Sequence, residues 1–264
     1  MHALYEPVSA LMRDVARDVI LPRFRALAAD EMEEKTPGDF VTIADRESEE
    51  RLSEGLVTIL SDTRVLGEEA TAADPGLLEG LGTGAIWIVD PVDGTNNFAE
   101  GKTPFAVMIA LAVDGVVEAG WILDPVTGRM CHAKRGGGAF IDGERITARG
   151  SGHASPLAAI ALHFLSEEKR ADLVRRAEGR LTLVAIPRCA GEQYPRLVLG
   201  QNDIALFERA NPWDHAPGGL FLNEAGGRLA RLDGSDYRID RPGPGLMAAA
   251  SPALWEAGAD ALTR

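Results

Sequence analysis

The stretch Trp87-Ile88-Val89-Asp90-Pro91-Val92-Asp93-Gly94-Thr95-Asn96-Asn97-Phe98 joins an apolar run to two carboxylates three positions apart and a Gly-Thr pair. An apolar strand over residues 85–89 is predicted to deliver both acids onto a loop at its C-terminal end. Pro91 and Gly94 let the chain turn there, so the acids converge instead of alternating across a sheet. Carboxylate and carbonyl oxygens are the ligands that a hard cation such as Mg²⁺ takes in octahedral geometry. A short helix starting after Gly94-Thr95 would offer free N–H groups suited to a phosphate. Taken alone, the segment also fits an Asp-Gly turn with a capping aspartate.

Two further acidic signals stand elsewhere. Gly67-Glu68-Glu69 ends a predicted short strand over 64–66, although paired acids are common on surfaces. Asn211-Pro212-Trp213-Asp214 precedes an apolar segment and then Glu224-Ala225-Gly226-Gly227. Asp214 is predicted to cap a helix, with Pro217 in its first turn and the glycine pair closing its end. The five histidines form no zinc spacing, and His215 beside Asp214 is expected to support a neighbour or face solvent.

These groups need elements to hold them. Val8, Leu11, Val15, Val19 and Phe24 mark a helix over 7–29, followed by a loop over 30–39 around Pro37-Gly38. Thr42 is the predicted N-cap of a second helix reaching Leu60, with Asp45 three residues on as in a capping box. Strands over 105–113 and 116–123 are joined by the hairpin signal Asp114-Gly115. A strand over 129–132 and a turn–strand–turn over 136–143 follow. Beyond Gly150, strands over 157–162 and 181–186 flank a charged helix over 167–179. The change predicts an α+β N-terminal domain over 1–145, carrying most of the acids, and an α/β domain over 146–264 supplying Asp214 and part of a substrate pocket.

The formal net charge of the 264 residues is −13, and such a surface repels nucleic acid and anionic membranes. An anionic substrate would need the sign inverted locally, which bound divalent cations do. The longest apolar run, Phe105 to Val113, is nine residues, too short to span a bilayer, and the N-terminus lacks the pattern of a signal peptide. Cys131 and Cys189 form no CxxC motif, for which reduced thiols in a cytoplasmic protein are the simplest reading and a single disulfide the lesser alternative.

Together the motifs resemble the inositol monophosphatases and their relatives in the lithium-sensitive, metal-dependent sugar-phosphatase superfamily. The matches are Gly67-Glu68-Glu69, Asp90-Pro91-Val92-Asp93-Gly94-Thr95, and Pro212-Trp213-Asp214 running into Glu224-Ala225-Gly226-Gly227. Smaller ones are Asp39 to Asp45, Gly138-Ala139-Phe140 and Asp142-Gly143, all in the family's order. The resemblance implies a layered α-β-α-β-α sandwich of the inositol monophosphatase and fructose-1,6-bisphosphatase type. It implies a Mg²⁺-dependent phosphomonoesterase for a small polyol or sugar phosphate such as inositol 1-phosphate, and a homodimer. Glu68, Asp90 and the Val92 carbonyl would hold one Mg²⁺, and Asp90 would bridge to a second held by Asp93 and Asp214. Thr95, supported by Asp45 and with Glu68 beside it, would orient the attacking water. Asp93 and the amides of Gly94 and Thr95 would meet the substrate, as would Gly191 and Glu208, while Lys35 would approach the metals.

Two departures touch the substrate pocket. Glu192 and Gln193 stand where the family has small residues, and Glu208 precedes Asp214 by six positions where seven is usual. Phosphatases of the same superfamily for 3′-phosphoadenosine-type nucleotides, fructose 1,6-bisphosphate or histidinol phosphate are the alternative. A binding protein without turnover fits poorly with five retained site residues, and a nucleotidyltransferase lacks a nucleotide fingerprint. Four acids in one cleft should strain the metal-free protein, so Asp93→Asn is expected to raise its melting temperature.

Overall fold

The structure is a computed structural model that describes residues 3–36, 39–162, 165–241 and 243–263. In chain order its helices are α1 (Tyr5–Val15), α2 (Leu21–Arg23), α3 (Ile43–Ile59), α4 (Glu68–Ala73), α5 (Thr95–Ala99), α6 (Glu167–Ala177), α7 (Ala190–Val198), α8 (Pro212–Glu224) and α9 (Pro252–Thr263). Its first strands are β1 (Met32–Thr36), β2 (Asp39–Thr42), β3 (Arg64–Gly67), β4 (Ala85–Asp93), β5 (Ala106–Val113), β6 (Val116–Leu123) and β7 (Met130–Lys134). They continue as β8 (Gly138–Ile141), β9 (Glu144–Ile146), β10 (Leu157–Ile160), β11 (Thr182–Val184), β12 (Ile204–Phe207), β13 (Arg228–Arg231) and β14 (Leu246–Ala249).

Among the described residues β3 to β9 form one seven-stranded sheet in sequence order, parallel between β3 and β4 and antiparallel thereafter. A five-stranded mixed sheet runs β11-β10-β12-β14-β13. Alternation along the strands assigns the layers. In β5, Val107 and Ile109 pack with α1 and α3, whereas Met108 and Ala110 pack towards α7 and α8. In β12, Ala205 joins that central core and Ile204 turns to α9 on the far side. The order is therefore α1/α3, the large sheet, α7/α8, the small sheet, α6/α9. This is the α-β-α-β-α sandwich.

Local differences from the sequence patterns have local causes. The first helix follows its apolar stripe but passes through a π turn at Ala16–Ile20 and ends at Arg23, short of residue 29. Pro22 offers no N–H and crowds the carbonyl four residues back, and a π turn absorbs that misfit. Arg25, at φ 64°, then turns the chain away. The segment read as a loop over 30–39 contains β1, paired with β2 as an antiparallel ribbon; Pro37-Gly38 lie outside the described residues. The Asp114-Gly115 hairpin forms as expected, with both residues at positive φ, as a type I′ turn requires.

The close approach of α8 to its neighbours depends on glycines. A Cβ on Gly218 would stand 2.0 Å from the ring of Tyr194, which is fully buried, whereas one on Gly219 would meet the flexible end of Leu229 at 2.3 Å. We expect Gly218→Ala to destabilise the protein by about 1–3 kcal/mol and Gly219→Ala by clearly less. Denaturant melts of both variants check this, and equal losses would show that Tyr194 yields as easily as Leu229.

Candidate active site

Two aspartates three apart on a regular strand would face opposite ways. β4 does not stop at Val89 but runs on to Asp93, and its pairing with β5 slips: Asp90 lies opposite Met108 and Asp93 opposite Ala106. Three steps on one strand against two on the other is a β-bulge, and it resets the alternation. Val89 and Val92 both face the outer helices, leaving Asp90 and Asp93 together on the side of α7 and α8. Pro91 sits inside the bulge, where no ladder N–H is required of it.

Asp214 joins them from α8. It is not the cap: Asn211 holds that position, Pro212 is the first helical residue, and Pro217 lies inside the helix. Asn211 Nδ2 donates instead to Asp214 Oδ2 at 3.1 Å. One carboxylate oxygen each from Asp90, Asp93 and Asp214 lie within 4.8 Å of one another.

Glu68 opens α4, at the end of β3. Its approach is fixed by Glu49 of α3, whose carboxylate accepts from the amides of Glu69 and Ala70, each at 2.8 Å. Gly67 is needed there, because a Cβ would stand 2.2 Å from that carboxyl group. Lys35 on β1 reaches Glu69 at 2.5 Å and Glu68 at 3.5 Å, so the cation does lie beside the acids.

The capping box forms: the Thr42 N–H donates to Asp45 Oδ2 at 2.9 Å, and the Ala44 N–H to Thr42 Oγ1 at 3.2 Å. The other oxygen of Asp45 is 3.0 Å from Thr95 Oγ1, which is also 2.9 Å from the Val92 carbonyl. Gly94 precedes α5 at φ 87°, and a Cβ there would stand 3.1 Å from the Pro104 carbonyl.

A cavity of about 840 Å³ is lined by Glu68, Asp90, Asp93, Thr95 and Asp214, with Lys35, Gly94 and Glu208 also on its wall. Asp45, Val92 and Gly191 stand behind it. Gly191 gives its N–H to Asp93 Oδ2 at 2.6 Å, the oxygen that Cys189 Sγ also reaches at 2.9 Å. That amide is thus committed to a protein carboxylate. Glu192, which stands where the family has small residues, turns away to Arg129 at 2.6 Å and Arg196 at 2.9 Å. Gln193 is buried and donates to Asn202 at 3.1 Å. Glu208 pairs with Lys169 at 3.3 Å.

His215 is buried, not on the surface. It lies between the Tyr194 hydroxyl at Nδ1 and the Arg209 carbonyl at Nε2, each 2.9 Å away. Burial lowers its pKa to about 4, so the ring is neutral near pH 7. Motif reading also passed over Arg188 and Arg209, both on the cavity wall, and Glu49. Arg188 sits at φ 55°, a conformation that no sequence signal announces. Glu49 lies twenty residues from the helix start it caps.

Burial and mutual repulsion dominate the electrostatics. Asp90 is held well above the usual carboxylate range by burial, then by Glu68, Asp93 and Asp214. Burial and Asp214 push Glu68 up as well, with Lys35 opposing. Asp214 is raised to about 7 by burial and then Asp93, and Asp45 to about 6 mainly by burial. Asp93 is raised by burial, but the Cys189 thiol and the backbone amides oppose it. Its carboxylate is therefore an anchor for the start of α7. Relief of repulsion, expected from Asp93→Asn, is better sought at Asp90, whose charged neighbours in the cleft are all acids. The donor set is all oxygen, crowded and short of positive charge, which fits a hard divalent cation.

The description "Inositol monophosphatase family" matches residues 2–263. The chain is 36% identical over 231 residues to a histidinol-phosphatase of Mycobacterium tuberculosis, covering 84% of this chain and 85% of that protein. It is 29% identical over 208 residues to an inositol-1-monophosphatase of Bacillus subtilis, covering 76% of each. Its fold is similar to that of the extragenic suppressor protein suhB from Bartonella henselae, with a TM-score of 0.84 at 24% identity over 100% of this chain and 99% of that one. No helix among the described residues is long and apolar enough to cross a membrane. From the match across nearly the whole chain, in a fold that assembles the acids into one cleft, we conclude that this protein belongs to the inositol monophosphatase family of metal-dependent phosphatases and is a hydrolase of phosphoric monoesters.

Proposed function

We propose that the protein is a Mg²⁺-dependent phosphomonoesterase that acts on a small organic phosphate by activating water in the carboxylate cleft. The observation that carries this reading is the convergence of Asp90, Asp93 and Asp214 within 4.8 Å, on a cavity wall that also bears Glu68 and Thr95. Glu68, Asp90 and the Val92 carbonyl are suited to one ion, and Asp90, Asp93 and Asp214 to another. Bound there, Mg²⁺ supplies Lewis acidity, lowering the pKa of a water and stabilising the leaving ester oxygen.

The chain's own groups do the rest. Thr95 has one hydroxyl proton and two acceptors in reach, Asp45 and the Val92 carbonyl. Donated to Asp45, that proton leaves Oγ1 free to accept from a water and so to orient it. Asp45 is held by Thr42 and cannot swing away. The Gly94 and Thr95 amides are candidates for the phosphate oxygens, and Glu208 and Arg209 border the organic part of the substrate. Gly191 acts through Asp93, not on the substrate. The buried unpaired thiols Cys131 and Cys189 suit a reducing, cytoplasmic setting.

Phosphate release from inositol 1-phosphate, fructose 1,6-bisphosphate, histidinol phosphate and glycerol phosphate tests the reading. Release with Mg²⁺ and none in chelator is expected, and full activity in chelator contradicts the metal assignment. Asp90→Asn should lower release to about a hundredth or less, the scale of losing one transition-state contact. Near wild-type turnover would remove Asp90 from the metal site. Thr95→Ala should lower kcat by about a hundredfold or more while changing KM by less than about threefold. An unchanged kcat with a raised KM would make Thr95 a binding residue.

A further inference from the structure

Two donors converge on a single oxygen of Asp93. The Gly191 N–H reaches Oδ2 at 2.6 Å, and Cys189 Sγ lies 2.9 Å from the same atom. An ionised carboxylate only accepts, so the thiol is the donor, and the negative charge draws even a weak S–H in. Oδ2 is thereby committed to the protein, and Oδ1 is the oxygen that Asp93 keeps for a cation.

The chain is bent to bring that thiol in. Cys189 is buried at the cavity wall, immediately before α7. Arg188 ahead of it stands at φ 55°, a left-handed conformation that strains any residue with a Cβ. Such strain persists only where surrounding contacts impose it, and it gathers at functional sites. Asn97 of α5 supplies the contact: its Nδ2 donates to the Pro187 carbonyl at 3.0 Å and to the Pro104 carbonyl at 2.7 Å. Gly94 leaves the room, since a Cβ there would stand 3.2 Å from the Cys189 Cβ. The loop that follows Asp93 and the turn before α7 are thus fitted to each other around one carboxylate.

We propose that Cys189 is a positioning residue of the cleft, whose S–H joins the Gly191 amide in holding Asp93 by one oxygen and reserving the other for a divalent cation. The proposal rests on the reading of this cleft as the Mg²⁺ site of a phosphatase. With the amide alone, the Asp93 carboxylate regains rotational freedom, and that freedom is lost again when the cation binds. A serine offers an O–H from the same position. Alanine removes the donor, and valine removes it while filling the volume.

The test is calorimetric titration of Mg²⁺ into the metal-free full-length protein, for wild type, Cys189→Ser, Cys189→Ala and Cys189→Val. Beside it, phosphate release from the four phosphates above is followed over a range of Mg²⁺. The alanine and valine variants should bind Mg²⁺ about tenfold more weakly or worse, the usual scale for losing a group that holds a metal ligand. Half-maximal release should need more Mg²⁺ by a similar factor, while KM at saturating Mg²⁺ changes by less than about threefold. The serine variant should stay within about threefold of wild type in Mg²⁺ affinity. An alanine variant with wild-type Mg²⁺ affinity, even one that melts lower, makes the thiol a packing group and overturns the proposal. A serine variant as weak as alanine overturns it too, because the donor would then not be what matters. Either result, with a wild type that binds Mg²⁺ and releases phosphate, leaves the phosphatase reading intact. A wild type that binds no Mg²⁺ and releases no phosphate from any of the four overturns both.

Discussion

Negative charge crowded into a buried cleft is the constraint around which this chain is arranged. Buried carboxylates without counter-charge keep their protons at pH values where exposed ones are ionised, and each additional acid sharpens the effect. Lys35 is the ammonium beside Glu68 and Glu69, and it cannot neutralise the group alone. A fold that holds such acids together is biased towards accepting cations, because binding them removes the repulsion as it completes the site. Cations bound there also reconcile a net charge of −13 with an anionic substrate.

Each element near the cleft is placed to keep that arrangement rigid. The bulge in β4 turns two aspartates to one side. Glu49 ties down the start of α4, and Asp93 takes the Gly191 amide at the start of α7. Asp45 serves twice, as the third residue of a capping box and as the acceptor for Thr95. α8 brings Asp214 against the large sheet, where the Pro217 backbone lies so close to Gly120 of β6 that a Cβ there would stand 2.9 Å from it. Most of these ties join distant parts of the sequence, which is how side chains from four elements come to share a few ångströms.

What could be read in advance follows from how local each signal was. The capping box at Thr42 and the Asp114-Gly115 turn are written within four residues, and both formed as the pattern required. The layer order follows from alternation in strands such as β5, once family resemblance had suggested the architecture. The bulge at Pro91-Val92 was not legible, because one inserted residue is defined only by the strand opposite. β1 escaped notice because Glu33, Glu34 and Lys35 have no apolar face; the ribbon is held by pairing with β2. Asp214 resembled a cap because aspartate favours that position, but Pro212 fixes the helix start one residue after Asn211. The direction of Glu192 depends on Arg129, sixty-three residues away. Of the two roles expected for His215, burial leaves the supporting one, with the Tyr194 hydroxyl of α7 and the Arg209 carbonyl as its partners.

The claim that repulsion governs the cleft is most directly tested by thermal melts of wild type and Asp90→Asn in chelator across pH. A carboxyl whose pKa is raised by folding keeps a proton that the unfolded chain gives up, so its favourable term belongs to the acid side and fades as pH rises from the ordinary 3.8 towards about 7, the value reached by Asp214. The account predicts that Asp90→Asn melts above the wild type in chelator at about pH 8. The gap should shrink as pH falls through that window, and the order should reverse when Mg²⁺ is added. A variant that melts below the wild type in chelator at about pH 8 would contradict it.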